Sequence, residues 1–297
     1  MKQFAQIEAL QSLLKSWKQQ GKKLAFVPTM GNLHEGHLSL VTLAKQHADK
    51  VVCSVFVNPL QFGPNEDFEQ YPRTLAADAE QLQQMGCDVL FAPSVSEMYP
   101  EGALQTQVRA ALNLANQLEG RQRPGHFDGV ATVVAKLFHI VQPEVAIFGQ
   151  KDFQQFRVIE QMVQDLNFPI QLVCAPIARE QTGLALSSRN QYLTAEQKAI
   201  APVLYQTLQQ LQQQLQALKG SFQALSDADL LAQVSDLLQA AEQRLLTAGF
   251  DQVDYIQLVN RVDLQPCTPQ QLRQSGACVL LAVARLGRVR LLDNLLI

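Results

Sequence analysis

Pro28-Thr29-Met30-Gly31-Asn32-Leu33-His34-Glu35-Gly36-His37 is the stretch that decides the fold. The apolar run Leu24-Ala25-Phe26-Val27 leads into it and reads as a buried strand. The amphipathic run from Leu38 to Ala48 leads out of it and reads as a helix. A glycine-containing turn between strand and helix is a place where backbone N–H groups and a helix N-terminus can hold phosphate. Gly31-x4-Gly36 has the glycine spacing of a phosphate-binding P-loop, but His37-Leu38 stands where Lys-Ser/Thr is required. His34-Glu35-Gly36-His37 is also one residue short of the zinc motif H-E-x-x-H, with a glycine inside it. What remains is His-x-Gly-His opening a helix, with both imidazoles on one side of its first turn.

Working outward, short apolar runs alternate with helical patterns as far as residue 185. Strands are expected at Leu24–Pro28, Val51–Val57, Asp88–Ala92, Val145–Phe148 and Ile170–Cys174. Helices are expected at Phe4–Gln19, Leu38–Ala48, Thr74–Met85, Gly129–Val141 and Phe153–Leu166. Continuous Val/Phe/Ile runs suit strands covered on both faces. The alternation predicts an α/β fold with a doubly wound parallel sheet, whose ligands sit at the carboxyl ends of the strands. After residue 190 the pattern changes. Leu204, Leu208, Leu211, Leu215 and Leu218 mark a helix expected to end at Gly220. A second helix runs from Asp227 to Ala248 and stops at Gly249. Strand-like runs Val253–Val259, Cys278–Ala284 and Val289–Leu292 close the chain. The expected division is residues 1–185 and a smaller α+β domain, residues 186–297.

Composition excludes several classes. The chain has 297 residues, 47% hydrophobic and 17% charged, with net charge −3, so neither nucleic acid nor an anionic membrane is an expected partner. The N-terminal residues show no apolar h-region, so no signal peptide is expected. Five cysteines without C-x-x-C spacing read as buried reduced thiols in the cytoplasm.

Further chemistry-bearing segments follow the expected strands. Gly149-Gln150-Lys151-Asp152 places a lysine at a strand end, with Asp152 able to cap the next helix or orient the lysine. Leu186-Ser187-Ser188-Arg189-Asn190 offers two hydroxyls and a guanidinium to phosphate oxygens. Phe56-Val57-Asn58-Pro59-Leu60-Gln61-Phe62 carries neutral amides among apolar residues, suited to a small hydroxylated acid. Gln154 and Gln155 are placed to face the same pocket. Gly120-Arg121-Gln122-Arg123-Pro124-Gly125-His126-Phe127-Asp128-Gly129 reads as a lid over an anion or as a solvated loop.

Together PTMGNLHEGH, FVNPLQF, YPRT, GRQRPGHFDGV, VQPEVAIFGQKDFQQ and LALSSRNQYLT resemble the pantothenate synthetase family, in order and spacing, over essentially the whole chain. The His-x-Gly-His element alone marks the wider superfamily of nucleotidyl transferases and class I aminoacyl-tRNA synthetases. The resemblance implies a Rossmann-like nucleotide- and pantoate-binding domain, and a C-terminal domain covering the active site. It implies ATP-dependent joining of pantoate and β-alanine through pantoyl adenylate, in a cytoplasmic homodimer. It further implies that Met30, Gly31, Asn32, Leu33, His34, Glu35, Gly36 and His37 line the ATP site, with His37 as catalytic proton donor. Gly149, Gln150, Lys151 and Asp152 complete it with Leu186, Ser187, Ser188 and Arg189, and with Ala178 through its backbone. Gln61 and Gln155 match pantoate-binding positions, Gln61 also bordering β-alanine, and Asn58 is counted with them. Mg²⁺ is expected mainly on the phosphates. Gln150 stands where many relatives have glutamate, and Ala77-Asp78 where relatives often carry two acidic residues, so no protein metal ligand is assigned. The alternatives are a nucleotidyltransferase acting on another small acid or phosphate acceptor, and a silent nucleotide-binding module. The apolar Val51–Val57 run is a candidate dimer contact.

Overall fold

The computed structural model describes residues 1–64, 66–100, 106–222 and 225–297. It divides into two compact units, residues 1–150 with 154–176, and residues 151–153 with 177–297.

The first unit is built on six parallel strands: β1 (Lys2–Phe4), β2 (Leu24–Thr29), β3 (Lys50–Val55), β4 (Val89–Phe91), β5 (Val145–Gly149) and β6 (Gln171–Ala175). Their order is β1-β4-β3-β2-β5-β6. The chain therefore builds outward from β2 on one side, then crosses to β5 on the other. That reversal makes the β2/β5 boundary the topological switch point. The register pairs Ala25 with Val145 and Phe26 with Ala146, so Met30 and Gln150 leave the same sheet edge.

Both faces of the sheet are covered, which is why its strands read as unbroken apolar runs. Ala25, Val27, Val51, Cys53, Leu90 and Ile147 pack with Leu40, Val41 and Ala44 of the helix Glu35–His47. On the opposite face Phe26 and Phe148 meet Phe138 of the helix His126–Val141 edge-to-face, at centroid distances of 6.4 and 6.3 Å.

Four expectations change or narrow. Phe4 does not begin a helix: Lys2–Phe4 pairs with β4 and the helix starts at Ile7. A three-residue edge strand with two exposed polar residues leaves no periodic signal. The run from Val51 is accounted for as a central strand, because Val51, Val52 and Cys53 of β3 lie buried between β2 and β4. The segment 120–129 is not a solvated loop, since it forms the helix Glu119–Gln122 and opens the helix His126–Val141. Gly220 does not stop its helix, which spans Val203–Phe222.

The second unit packs that helix and Asp227–Ala248 on an antiparallel sheet of β7 (Gln252–Asn260), β8 (Cys278–Leu286) and β9 (Val289–Leu296). Leu204, Leu208, Leu211 and Leu215 are each at most 2% exposed, so the leucine stripe is core. Gly249 caps the second helix in the left-handed region at φ 106°. The division falls after Pro176 rather than near 185 because residues 178–186 form a hairpin tied to β9. Leu186 N donates to Ala178 O, and Arg179 pairs with Asp293.

Candidate active site

The His-x-Gly-His turn is shaped from behind by one buried carboxylate. Gly31 (φ 84°) and Asn32 (φ 50°) both lie in the left-handed region, which reverses the chain after β2. Asp78, 1% exposed, accepts Asn32 N–H through Oδ2 at 3.0 Å and Leu33 N–H through Oδ1 at 2.8 Å. Thr74 Oγ1 donates to the same carboxylate at 3.2 Å. A Cβ on Gly31 would stand 2.9 Å from Val55 Cγ1 and 3.0 Å from Asp78 Oδ2, so only glycine fits.

The helix then starts at Glu35 with His34 as its N-cap. His34 Nδ1 accepts Gly36 N–H at 3.1 Å, and His37 Nδ1 accepts His34 N–H at 3.4 Å. This reciprocal capping uses imidazoles where Ser and Glu are usual. Because both Nδ1 atoms accept, each neutral ring carries its proton on Nε2. The rings lie 4.1 Å apart, so two Nε2–H donors sit side by side.

Gln61 stands next to this turn in the same unit. Its Nε2 donates to Met30 Sδ at 3.2 Å, and its Oε1 accepts Asn58 Nδ2–H at 3.0 Å. Asn58 is fully engaged. Its Nδ2 also donates to Gly129 O at 3.1 Å, while its Oδ1 accepts Leu60 N–H at 3.3 Å and Tyr99 Oη–H at 2.7 Å. Burial pushes the Tyr99 hydroxyl up, so it stays protonated and donates. With all four positions filled, Asn58 orients Gln61 instead of presenting its own amide.

The segment 120–129 buttresses Gln61 from the other side. Gly129 packs so close that a Cβ would meet Leu60 O at 2.3 Å. Arg123 donates to Glu66 at 2.5 and 2.6 Å and from Nη1 to His126 Nε2 at 3.1 Å. A guanidinium can only donate, so His126 Nε2 accepts and its Nδ1–H donates to Gln61 O, 2.8 Å away. Burial and the Arg123 charge lower the His126 pKa to about 4. Burial pushes Glu66 up, but the Arg123 hydrogen bond and charge outweigh it, so its carboxyl titrates below the usual range.

The two amides after Lys151 separate in role. Gln154, 5% exposed, donates to Leu114 O and Gln117 O and accepts Glu119 N–H. It holds the chain together and has no surface to offer a ligand. Gln155 is half-buried, and no hydrogen bond engages its amide among the described residues.

In the second unit Lys151 and Ser187 line one small cavity with Asn190 and Asp293. The cavity holds about 10 Å³, room for about one water. Asn190 Oδ1 is buried with no hydrogen-bond partner among the described residues and supplies a polar contact for it. Lys151 Nζ lies 4.0 Å from Asp152, and its carbonyl accepts Asn294 Nδ2–H at 3.0 Å. Ser187 caps the turn Ser188–Tyr192, accepting Arg189 N–H at 3.3 Å. Ala178 begins the hairpin that delivers this turn. Leu186 and Arg189 are half-buried, as are Gly149 and Gln150 in the first unit.

The residues sequence reasoning did not assign are Asp78 as the brace of the turn, Arg123 and His126 behind Gln61, and Asp293 and Asn294 beside Lys151. Asp78 carried a signal in the Ala77-Asp78 pair, and Arg123 and His126 in the Gly- and Arg-rich segment 120–129, whereas Asp293 and Asn294 carried none.

Fold and turn define a doubly wound α/β protein with a His-x-Gly-His turn at its switch point, where such sheets bind their ligands. The sequence model of the family described as pantoate-beta-alanine ligase matches residues 2–296. A protein named pantothenate synthetase from Hydrogenovibrio crunogenus is 52% identical over 291 residues, covering 98% of this chain and 97% of its own. A crystal structure of pantothenate synthetase from Thermus thermophilus superposes with a TM-score of 0.87 at 44% identity, covering 99% of each chain. A pantoate-beta-alanine ligase from Francisella tularensis, crystallised as a complex with beta-gamma ATP and β-alanine, superposes at 0.77 with 35% identity, covering 100% of this chain and 97% of that one. The chain belongs to the pantoate–β-alanine ligase family.

Proposed function

We propose that this chain is a pantothenate synthetase, joining pantoate to β-alanine with ATP and releasing AMP and pyrophosphate. The observation that carries the reading is the family match over residues 2–296, together with the paired Nε2–H donors of His34 and His37 beside Gln61.

A pantoate carboxylate oxygen attacks the α-phosphorus of ATP. The new P–O bond forms as the bond to pyrophosphate breaks, leaving pantoyl adenylate. The β-alanine amine then attacks the acyl carbon, a C–N bond forms, and AMP departs with its electron pair. Negative charge grows on the α-phosphate oxygens and the leaving group in the first step, so placed donors and cations lower the barrier. His37 supplies the proton-bearing Nε2 to that charge. Lys151 and Arg189 supply fixed positive charge. Met30–His37, Gly149–Asp152, Ala178 and Leu186–Arg189 hold the nucleotide. Gln61 and Gln155 bind pantoate, with Gln61 bordering β-alanine, and Asn58 acts by orienting Gln61.

Mg²⁺ rides on the ATP phosphates in this reading. Both Asp78 oxygens already accept N–H groups, so that carboxylate is engaged within the turn. Mg²⁺ neutralises phosphate charge when bound. The resemblance supports a homodimer, checked by light scattering on the eluting protein. Five free thiols support a cytoplasmic location.

The test is incubation of ATP with pantoate, with and without β-alanine, read by mass spectrometry. Pantothenate and AMP appearing only with both acids is the expected result. An adenylated product that persists in the presence of β-alanine, or no turnover, overturns it. His37→Ala and Lys151→Ala each lower kcat by orders of magnitude with the fold intact. Gln61→Ala raises KM for pantoate more than KM for ATP, and the reverse pattern would misplace the acid pocket.

A further inference from the structure

The last strand of the chain touches both phosphate-binding segments of the second unit. Asp293 and Asn294 are consecutive residues of β9, 3% and 0% exposed. Arg179 donates to Asp293 through both terminal nitrogens, at 2.5 and 2.7 Å. The same guanidinium donates to Gly183 O at 3.1 Å and lies 3.6 Å from the centre of the Tyr205 ring. These contacts fix the hairpin in which Arg179 pairs with Ala185 and Leu186 N–H returns to Ala178 O. Ser187–Arg189 is the direct continuation of that hairpin, and Asn190 Nδ2–H secures it again on Ala185 O at 3.0 Å. On the other side, Asn294 N–H donates to Asp293 Oδ1 at 2.7 Å, and Asn294 Nδ2–H holds Lys151 O at 3.0 Å.

We propose that Asp293 and Asn294 are positioning residues that set the spacing between Lys151 and the Ser187–Arg189 turn, the cationic groups offered to the ATP phosphates. The proposal rests on the reading that Lys151 and Arg189 serve those phosphates. Neither β9 residue reaches substrate in this role. Asn294 acts through the Lys151 backbone, and Asp293 acts through Arg179 and its hairpin. A buried bidentate pair and a fully buried amide are costly to bury and are rigid once satisfied, which suits a spacer.

The test is a double-mutant cycle on the purified full chain, with Asn294→Ala, Lys151→Ala and the double variant. A displacement of about 1 Å in a catalytic group costs up to ~10²-fold. Asn294→Ala is therefore expected to lower kcat about 10- to 100-fold, leave KM for pantoate unchanged, and have little further effect once Lys151 is alanine. A merely structural role predicts the same fold-loss in both backgrounds, and that additive result overturns the proposal, as does an Asn294→Ala enzyme with normal kcat. If Asn294→Ala does not purify folded, judged by circular dichroism, Arg179→Lys replaces it and is cycled against Arg189→Ala. Coupling there supports the proposal, and additivity overturns it. A Lys151→Ala enzyme with normal kcat defeats instead the reading of Lys151 on which the proposal stands.

Discussion

Replacing Asp78 with alanine takes the brace out of the His-x-Gly-His turn. The carboxylate accepts Asn32 N–H and Leu33 N–H at 3.0 and 2.8 Å and is capped by Thr74. Alanine leaves two N–H groups at a buried spot without acceptors, at about 1–3 kcal/mol each. Asn32 is half-buried and water reaches it more readily than Leu33. The loss is therefore about 3 kcal/mol, or roughly 5–10 °C in unfolding midpoint for a chain of this size. Asp78→Asn keeps one acceptor oxygen but turns an NH₂ toward the other donor, so its loss is about 1–2 kcal/mol. The turn, no longer held in the left-handed region at Gly31 and Asn32, also misplaces both imidazoles. Thermal unfolding and ATP titration calorimetry on both variants give the readout. Both should melt lower and bind ATP more weakly, in the order wild type, Asn, Ala. Unchanged melting with a raised Mg²⁺ requirement would refute the reasoning and make Asp78 a metal ligand.

Acid should loosen the Gln61 buttress through His126. Its folded pKa is about 4 against an ordinary 6.5, so as pH falls below 6.5 the unfolded chain binds a proton that the folded chain refuses. Stability drops by about 3 kcal/mol between pH ~6.5 and ~4 and levels off below. Urea midpoints for wild type and His126→Gln should converge in that window, and parallel curves would remove His126 from the effect. Gly129→Ala places a Cβ 2.3 Å from Leu60 O and 2.7 Å from Gln61 N, both backbone atoms. It should cost about 1–3 kcal/mol despite the better helix propensity of alanine, and raise KM for pantoate, measured by unfolding and steady-state kinetics. Among the thiols, burial pushes Cys53 and Cys87 up, and the contact with Cys278, followed by burial, pushes Cys267 up. Cys174 is half-exposed, so maleimide labelling of native protein followed by peptide mapping should find Cys174 first.

The parallel sheet was legible because β2, β3 and β5 are covered on both faces and therefore lack alternation. The leucine stripe from Leu204 to Leu215 was legible for the complementary reason, since a helix with one buried side repeats its apolar residues. β1 was hidden by Lys2 and Gln3. The segment 120–129 was misread because Gly129, Arg123 and His126 look like loop residues until Leu60, Gln61 and Glu66 lie against them, more than fifty positions earlier. Asp78 serves backbone N–H groups 45 and 46 residues away, and Asn294 serves a carbonyl 143 residues away. No local period carries such pairings, so composition and spacing pass over them. Lys151 and Gln61 stood out by following expected strands, and the resemblance gave them roles, but neither showed what holds them.

The carboxylate behind the turn has one more effect. In a P-loop the backbone N–H groups of the turn point at the ligand, and short-range dipoles supply much of the anion affinity. Here Asn32 and Leu33 give theirs to Asp78, and the turn carries a fixed negative charge on its inner side. On the proposed reading, two of the turn's N–H groups are withdrawn from the triphosphate, and side-chain cations that counter-ions can shield supply more of the attraction. At an ionic strength of about 0.15 M that shielding acts over roughly 8 Å. If that reading holds, nucleotide capture by this chain leans on side-chain-borne charge more than a backbone cradle does, and a high concentration of inorganic ions would weaken it.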